Sequence, residues 1–248
     1  MFYPPLLDLD NAPELDVLAI AAHPDDIEQT CGGTLLHMAE LGYVTGALDL
    51  TAGDMGTRGT PELRMEEAKK AASLLRLTFR ENLQMPDARL ENTIPLRMTL
   101  MGVIRRLKPK VVILPYWEAR HPDHYVASHL GIEACFLSGL AKMDDQAPAH
   151  RPRKVVYASS YATVAPSFVV DITPHFERRM ESLFAYESQY GEVEQGAHLF
   201  PKKEEITDRL RSIARYYGNL IGVKYGEPFV QKEMMRVDDL VQLPVRTF

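Results

Sequence analysis

Two of the eight histidines open related tetrapeptides, His23-Pro24-Asp25-Asp26 and His121-Pro122-Asp123-His124, and each follows an apolar run, LAIAA and VVILPYW. A given tripeptide such as His-Pro-Asp occurs by chance on the order of once in thirty chains of this size, so two copies behind two apolar runs form a pattern. Imidazole and carboxylate are the donors of a borderline divalent cation such as Zn²⁺, and a catalytic zinc commonly has three protein ligands. His23, Asp26 and His124 can supply those three, and Fe²⁺ suits the same set. Asp25 and His121 then stand beside the cation, where a general base and an electrostatic stabiliser are needed. For a single His or Asp in such a place a helix cap or a hydrogen-bonded turn is the commoner role; the pairing reverses those odds. Asp123 keeps two readings, helix N-cap or a carboxylate that orients a ligating histidine.

These residues need a scaffold. Leu15 to Ala22 is a short apolar run of strand length, stopped by Pro24. A helix is predicted from about Gly33 to Leu41, a strand from Val44 to Leu50, and a helix capped by Thr60 and opened by Pro61, with Ala68, Ala71, Ala72 and Leu75 on one face. Leu100, Val103, Ile104 and Leu107 mark another helix before the strand Lys110 to Leu114. Ala127, Leu130, Ala134 and Leu137 mark the next, and Val155 to Ala158 and Phe168 to Ile172 read as later strands. Ile206, Leu210, Ile213 and Tyr217 lie on a late helix. Alternating strands and helices predict an α/β fold, a Rossmann-like sandwich whose mostly parallel sheet is covered by helices on both faces, with ligands at the strands' carboxyl ends. Asp144 to Arg153 is too short a linker to divide the chain, so residues 1–248 are expected to be one domain.

With 34 acidic and 28 basic residues among 248, the net charge is −6, which disfavours nucleic acid, whose affinity rests on Lys and Arg neutralising phosphates. A domain of this length buries roughly three quarters of its unfolded surface, so a metal is expected to serve chemistry rather than stability. Two cysteines, Cys31 and Cys135, in no CxxC pair, suggest a reducing, cytoplasmic compartment, and no apolar run predicts a membrane span. Cys31 reads as a buried structural thiol. Glu28 reads as a partner of nearby backbone, and Tyr186, Tyr190 and Tyr225 as packing residues with solvated hydroxyls.

The segments AAHPDDIEQTCGGTL, TAGDMGTRGTPELRMEEA, PYWEARHPDH and VKYGEPF resemble the LmbE-like (PIG-L) N-acetylglucosamine deacetylases over most of the chain. GTRGTPELR and YGEPF are most similar to the bacterial N-acetylglucosaminyl-malate deacetylases of bacillithiol biosynthesis. The resemblance implies an LmbE-like fold, a zinc ion on His23, Asp26 and His124, Asp25 as the base that activates water, and His121 as stabiliser of the oxyanion. It implies a small N-acetylated amino sugar as substrate and a homo-oligomer. Arg64 and Arg120 match substrate-contacting positions and Arg58 is a third candidate; malate's carboxylates suit guanidinium groups. Arg64 has an alternative role as a surface ion pair with Glu67. Asp54 stands where the family usually has Glu. Two other functions stay open, a related amidase for another N-acetyl sugar or thiol conjugate, and a non-catalytic metal or sugar-binding module.

Overall fold

The computed structural model of the chain describes residue 9 and residues 11–143, 147–159, 162–191 and 201–245. Its strands are β1 (Val17–Ala21), β2 (Thr45–Thr51), β3 (Phe79–Met85), β4 (Val111–Pro115), β5 (Lys154–Ala158), β6 (Phe168–Asp171) and β7 (Gly226–Val230). They form a seven-stranded sheet in the order β3-β2-β1-β4-β5-β7-β6. The first five are parallel, while β7 runs antiparallel to both β5 and β6. The expected mostly parallel α/β sheet is therefore present.

Strands buried on both faces show which layer each side chain serves. Leu18 and Ile20 of β1 join Leu48, Leu50, Val112 and Leu114 on one face. Helices α4 (Ile94–Leu107) and α5 (Pro122–Ser138) cover that face with Leu100, Ile104, Leu107 and Leu130. Val17, Ala19 and Ala21 point the other way, towards Ile27 and Leu35 of α1 (Asp26–Thr30) and α2 (Gly32–Glu40). α3 (Pro61–Leu74) starts as its sequence predicts, with Pro61 at its first turn and Thr60 Oγ1 accepting the Leu63 N–H at 3.3 Å. α6 (Phe176–Leu183) packs on α1, α2 and α3, and α7 (Glu187–Tyr190) is a single turn. α8 (Lys203–Leu220) sets Ile206, Leu210 and Ala214 against Phe176 and Met180 of α6.

The sequence pattern does not mark β3, β7 or α6. β3 reads FRENLQM, too polar for a buried strand by composition, because the Arg80 side chain is buried in an ion-pair cluster with Asp49 and Glu28 rather than replaced by an apolar residue. Pro228 hides β7 in the same way, since proline is rare between two paired strands. The linker candidate lies between α5 and β5, and its residues 144–146 are outside the described residues.

The order places β1 between β2 and β4, so the chain's path reverses direction across the sheet at β1 and β4. A crevice opens at such a switch point beyond the strands' carboxyl ends. His23 follows β1 and His121 follows β4, so both motifs are delivered there.

α5 carries the second motif at its start, and its far end is held by a cation. Arg105, 2% exposed, donates to the carbonyls of Ser138 (3.0 Å), Leu140 (2.7 Å), Met143 (3.2 Å) and Ala147 (3.3 Å). A guanidinium suits the negative end of a helix dipole. Arg105→Ala strands buried acceptors and opens a cavity, so we expect a loss of about 3–5 kcal/mol and a Tm lower by roughly 10 °C. A thermal melt shifted by under about 2 °C would show that Arg105 is dispensable.

Candidate active site

Three side chains meet at the switch point. His23 Nδ1 lies 3.3 Å from Asp26 Oδ2, His124 Nε2 lies 3.2 Å from Asp26 Oδ1, and the two ring nitrogens are 3.3 Å apart. Ligands at 2.0–2.1 Å around a tetrahedral zinc are about 3.3–3.4 Å from one another, and each contact of this side-chain triangle has that length, with Asp26 turning one oxygen to each ring. The donor set of two imidazoles and a carboxylate fits the same ion. His121 stands beside them, and one ring nitrogen each of His23, His121 and His124 lie within 4.8 Å of one another.

Carboxylates that are not part of the triangle crowd its back. His23 Nε2 is 3.2 Å from Asp123 Oδ2 and 3.2 Å from Asp87 Oδ1. Asp123 is in turn fixed by the N–H groups of Ala88 (2.8 Å) and Leu90 (3.3 Å). A carboxylate on the far nitrogen of a ligating histidine fixes its tautomer and raises its basicity. Burial opposes a charged His23 ring, yet hydrogen bonds to Asp123, Asp26 and Asp87 outweigh it and push its pKa up to about 12. Asp87 goes the other way, to about 2, because bonds from His23 and the Met55 N–H overcome its burial. Four carboxylates, Asp25, Asp26, Asp87 and Asp123, thus share the site with the guanidinium of Arg64 and with the rings of His23 and His124, whose charged forms they favour.

Asp123 is not the N-cap of α5. That place belongs to His121, whose Nδ1 accepts the Asp123 N–H at 3.2 Å. An accepting Nδ1 is unprotonated, so the neutral ring carries its proton on Nε2 and can donate there. Burial and the neighbouring His23 and His124 lower the pKa of His121, which keeps the ring neutral.

Asp25 caps α1 at φ 100°, a left-handed conformation costing of order 1–3 kcal/mol for a non-glycine residue. Its Oδ2 accepts the Tyr190 hydroxyl at 2.6 Å, and Arg64 Nη2 lies 3.6 Å from its Oδ1. Burial raises its pKa to about 6, with Asp26 adding to the rise and Arg64 and Tyr190 restraining it. That is a suitable range for a general base working near neutrality.

Arg64 is buried, not on the surface beside Glu67, whose carboxylate instead receives the Ser188 N–H and hydroxyl, both at 2.7 Å. Arg64 donates to the carbonyls of Pro24 (2.5 Å) and Gly53 (3.3 Å). Only glycine permits this approach at residue 53, since a Cβ there would sit 1.9 Å from Arg64 Nη1 and φ is +69°. Arg58 is also buried and donates to Gln189 O at 3.2 Å. Arg120 and Asp54 are exposed. Cys31 is buried and its thiol is pushed well up by burial, in keeping with a structural thiol.

Glu28 does not serve backbone groups; its carboxylate pairs with Arg80, which also holds Asp49 through Nε (3.1 Å) and Nη2 (3.2 Å). Asp87, Tyr190, Glu227 and Arg179 are not among the site residues expected from the sequence. Glu227, from the YGEPF segment, accepts the N–H groups of Gly33 (3.0 Å) and Thr34 (2.7 Å) and pins the start of α2. Arg179 Nε bonds Glu28 O at 3.0 Å and Glu227 Oε1 at 3.2 Å, so one buried pair clamps the two helices behind the first motif.

Known proteins share this arrangement of chain. Residues 18–135 match the family described as PIG-L, GlcNAc-PI de-N-acetylase. The chain is 33% identical over 223 residues to the diacetylchitobiose deacetylase of Thermococcus kodakarensis, covering 85% of this chain and 80% of that one. It is 28% identical over 194 residues to a probable N-acetyl-alpha-D-glucosaminyl L-malate deacetylase 2 of Bacillus anthracis, covering 71% and 82%. Among solved structures, a conserved protein of Thermus thermophilus superposes with a TM-score of 0.82 at 38% identity, over 90% of this chain and 98% of that one.

Proposed function

The chain belongs to the PIG-L family of de-N-acetylases, and from that membership we propose that it hydrolyses the acetamide of a small N-acetylglucosamine conjugate with a divalent metal, zinc first among the candidates. The observation that carries this reading is the convergence of His23, Asp26 and His124, whose side-chain donors approach one another pairwise at 3.2–3.3 Å, with the buried Asp25 carboxylate beside them. A metal held by those three would polarise the acetamide carbonyl and make water a better nucleophile near neutral pH. Asp25 takes a proton from the attacking water through the oxygen that Tyr190 does not occupy. The Nε2–H of His121 is available to the oxygen that gains charge as the carbonyl carbon becomes tetrahedral. When the carbon–nitrogen bond breaks, the proton on Asp25 passes to the departing amine, and acetate and a glucosamine amine are the products.

The finer reading is N-acetylglucosaminyl-malate, supported by the GTRGTPELR and YGEPF segments and the Bacillus anthracis relative. A second reading, a neutral chitobiose-like sugar, is favoured by the engagement of Arg58 and Arg64 with backbone carbonyls, which leaves Arg120 as the exposed member of the three candidates. Acetate release from the malate conjugate, diacetylchitobiose and free N-acetylglucosamine separates the two. If malate is the aglycone, Arg120→Ala raises KM for the conjugate about tenfold or more and spares the neutral sugars, because one charge-assisted hydrogen bond is worth about 1.5–3 kcal/mol. Faster turnover of diacetylchitobiose with no Arg120 effect selects the neutral sugar, and a protein that releases acetate from none of them is not this deacetylase.

A further inference from the structure

A general base must keep one carboxylate oxygen free for the proton it takes, and in this molecule the tyrosine that holds the other oxygen is itself held from a distance. Tyr190 has one hydroxyl proton and gives it to Asp25 Oδ2 at 2.6 Å. Arg64 Nη2, 3.6 Å from Oδ1, is beyond hydrogen-bond length, so Oδ1 retains its accepting capacity. The Tyr190 oxygen receives a hydrogen bond from Gln29 Nε2 at 2.9 Å, which leaves the hydroxyl proton to Asp25. Gln29 in turn presents its amide nitrogen to Tyr190 because its Oε1 accepts from Arg209 Nη2 at 3.3 Å.

Arginine can only donate, so the Gln29 atom facing Arg209 must be oxygen, and the atom facing Tyr190 must then be the NH₂ group. The NH₂ group can only donate as well, so the Tyr190 proton is driven on to Asp25. The polarity of the row is fixed at both ends, by a carboxylate that only accepts and a guanidinium that only donates. The guanidinium end lies on α8, 180 residues from Gln29, in a helix that otherwise serves to cover α6.

We propose that Arg209, Gln29 and Tyr190 are a row of positioning residues that fixes which oxygen of Asp25 stays free to act as base. The inference rests on Asp25 being the base of the proposed deacetylation. Without the guanidinium the Gln29 amide is free to turn over, and its oxygen then competes with Asp25 for the Tyr190 proton. Replacing Gln29 by Glu goes further, because a carboxylate only accepts and draws the hydroxyl proton away from Asp25.

The test is a double-mutant cycle on the full-length metal-loaded enzyme, with Arg209→Ala, Tyr190→Phe and both together, assayed by acetate release. Arg209 is exposed, so its loss does not threaten the fold. Outer partners of this kind are typically worth 10–100-fold. Arg209→Ala is expected to lower kcat about tenfold with KM unchanged, and to have no further effect once Tyr190 is Phe. An equal loss in both backgrounds, no loss, or an effect on KM instead of kcat overturns the row. A crystal structure of Gln29→Glu gives a readout independent of activity: the Tyr190 hydroxyl should leave Asp25 for the new carboxylate, and its persistence on Asp25 overturns the proposal. An enzyme that releases acetate from no substrate refutes the deacetylase reading, while the Gln29→Glu structure still decides the row. If Gln29→Glu does not fold, the Arg209 cycle decides it.

Discussion

Asp25→Asn is expected to bind metal as the parent does and to lose between about 10² and 10⁴ in kcat, the usual contribution of a positioned general base. The change removes basicity with little else. Asn tolerates the left-handed backbone at φ 100° better than most residues, its Oδ1 can accept the Tyr190 hydroxyl, and Arg64 keeps its bonds to Pro24 and Gly53. A folding defect is therefore a poor explanation for any loss. Metal content measured on the sample used for the acetate assay separates base from ligand. An Asn variant with more than about a tenth of the parental kcat would place the base elsewhere, and a variant that had lost its metal would make Asp25 a ligand.

The two histidine motifs were legible because both signals are local. Each is a contiguous tetrapeptide behind an apolar run, and the strand order turns that adjacency along the chain into adjacency in space. The residues behind them were illegible for a corresponding reason. Asp87 sits just past β3, whose buried Arg80 disguises it as a surface segment, and it reaches a histidine just past another strand, β1. Tyr190 meets Asp25 across 165 residues, and Glu227 meets Gly33 across 194. No periodicity marks such contacts. Arg64 shows the limit from the other side. Its helical neighbours suggested a surface pair with Glu67, but its partners are the Pro24 and Gly53 carbonyls and Asp25, reached because residue 53 has no side chain. Charged side chains spent on backbone carbonyls cannot be told from ligand-binding ones until the fold is seen.

The other large effect belongs to His23, because its two nitrogens do different work. Nδ1 stands at a corner of the triangle, while Nε2 is held by Asp123 and Asp87. His23→Ala removes one of the three proposed ligands and leaves those two buried carboxylates without the imidazole, so the pocket keeps its negative charge but loses one of the donors assigned to the ion. Purified His23→Ala is expected to carry less than about a tenth of an equivalent of metal, and its acetate release should fall by more than about 10³ and not return on adding zinc. Asp123→Asn makes the complementary case. It keeps all three ligands and the shape of the support but weakens the hold on Nε2, so metal affinity should fall 10–100-fold and activity should return when metal is supplied in excess. Competition with a chelator of known affinity measures both. Full metal occupancy in His23→Ala would remove that residue from the ligand set. An Asp123→Asn protein with parental affinity would show that the carboxylates behind the histidine serve the fold, not the ion.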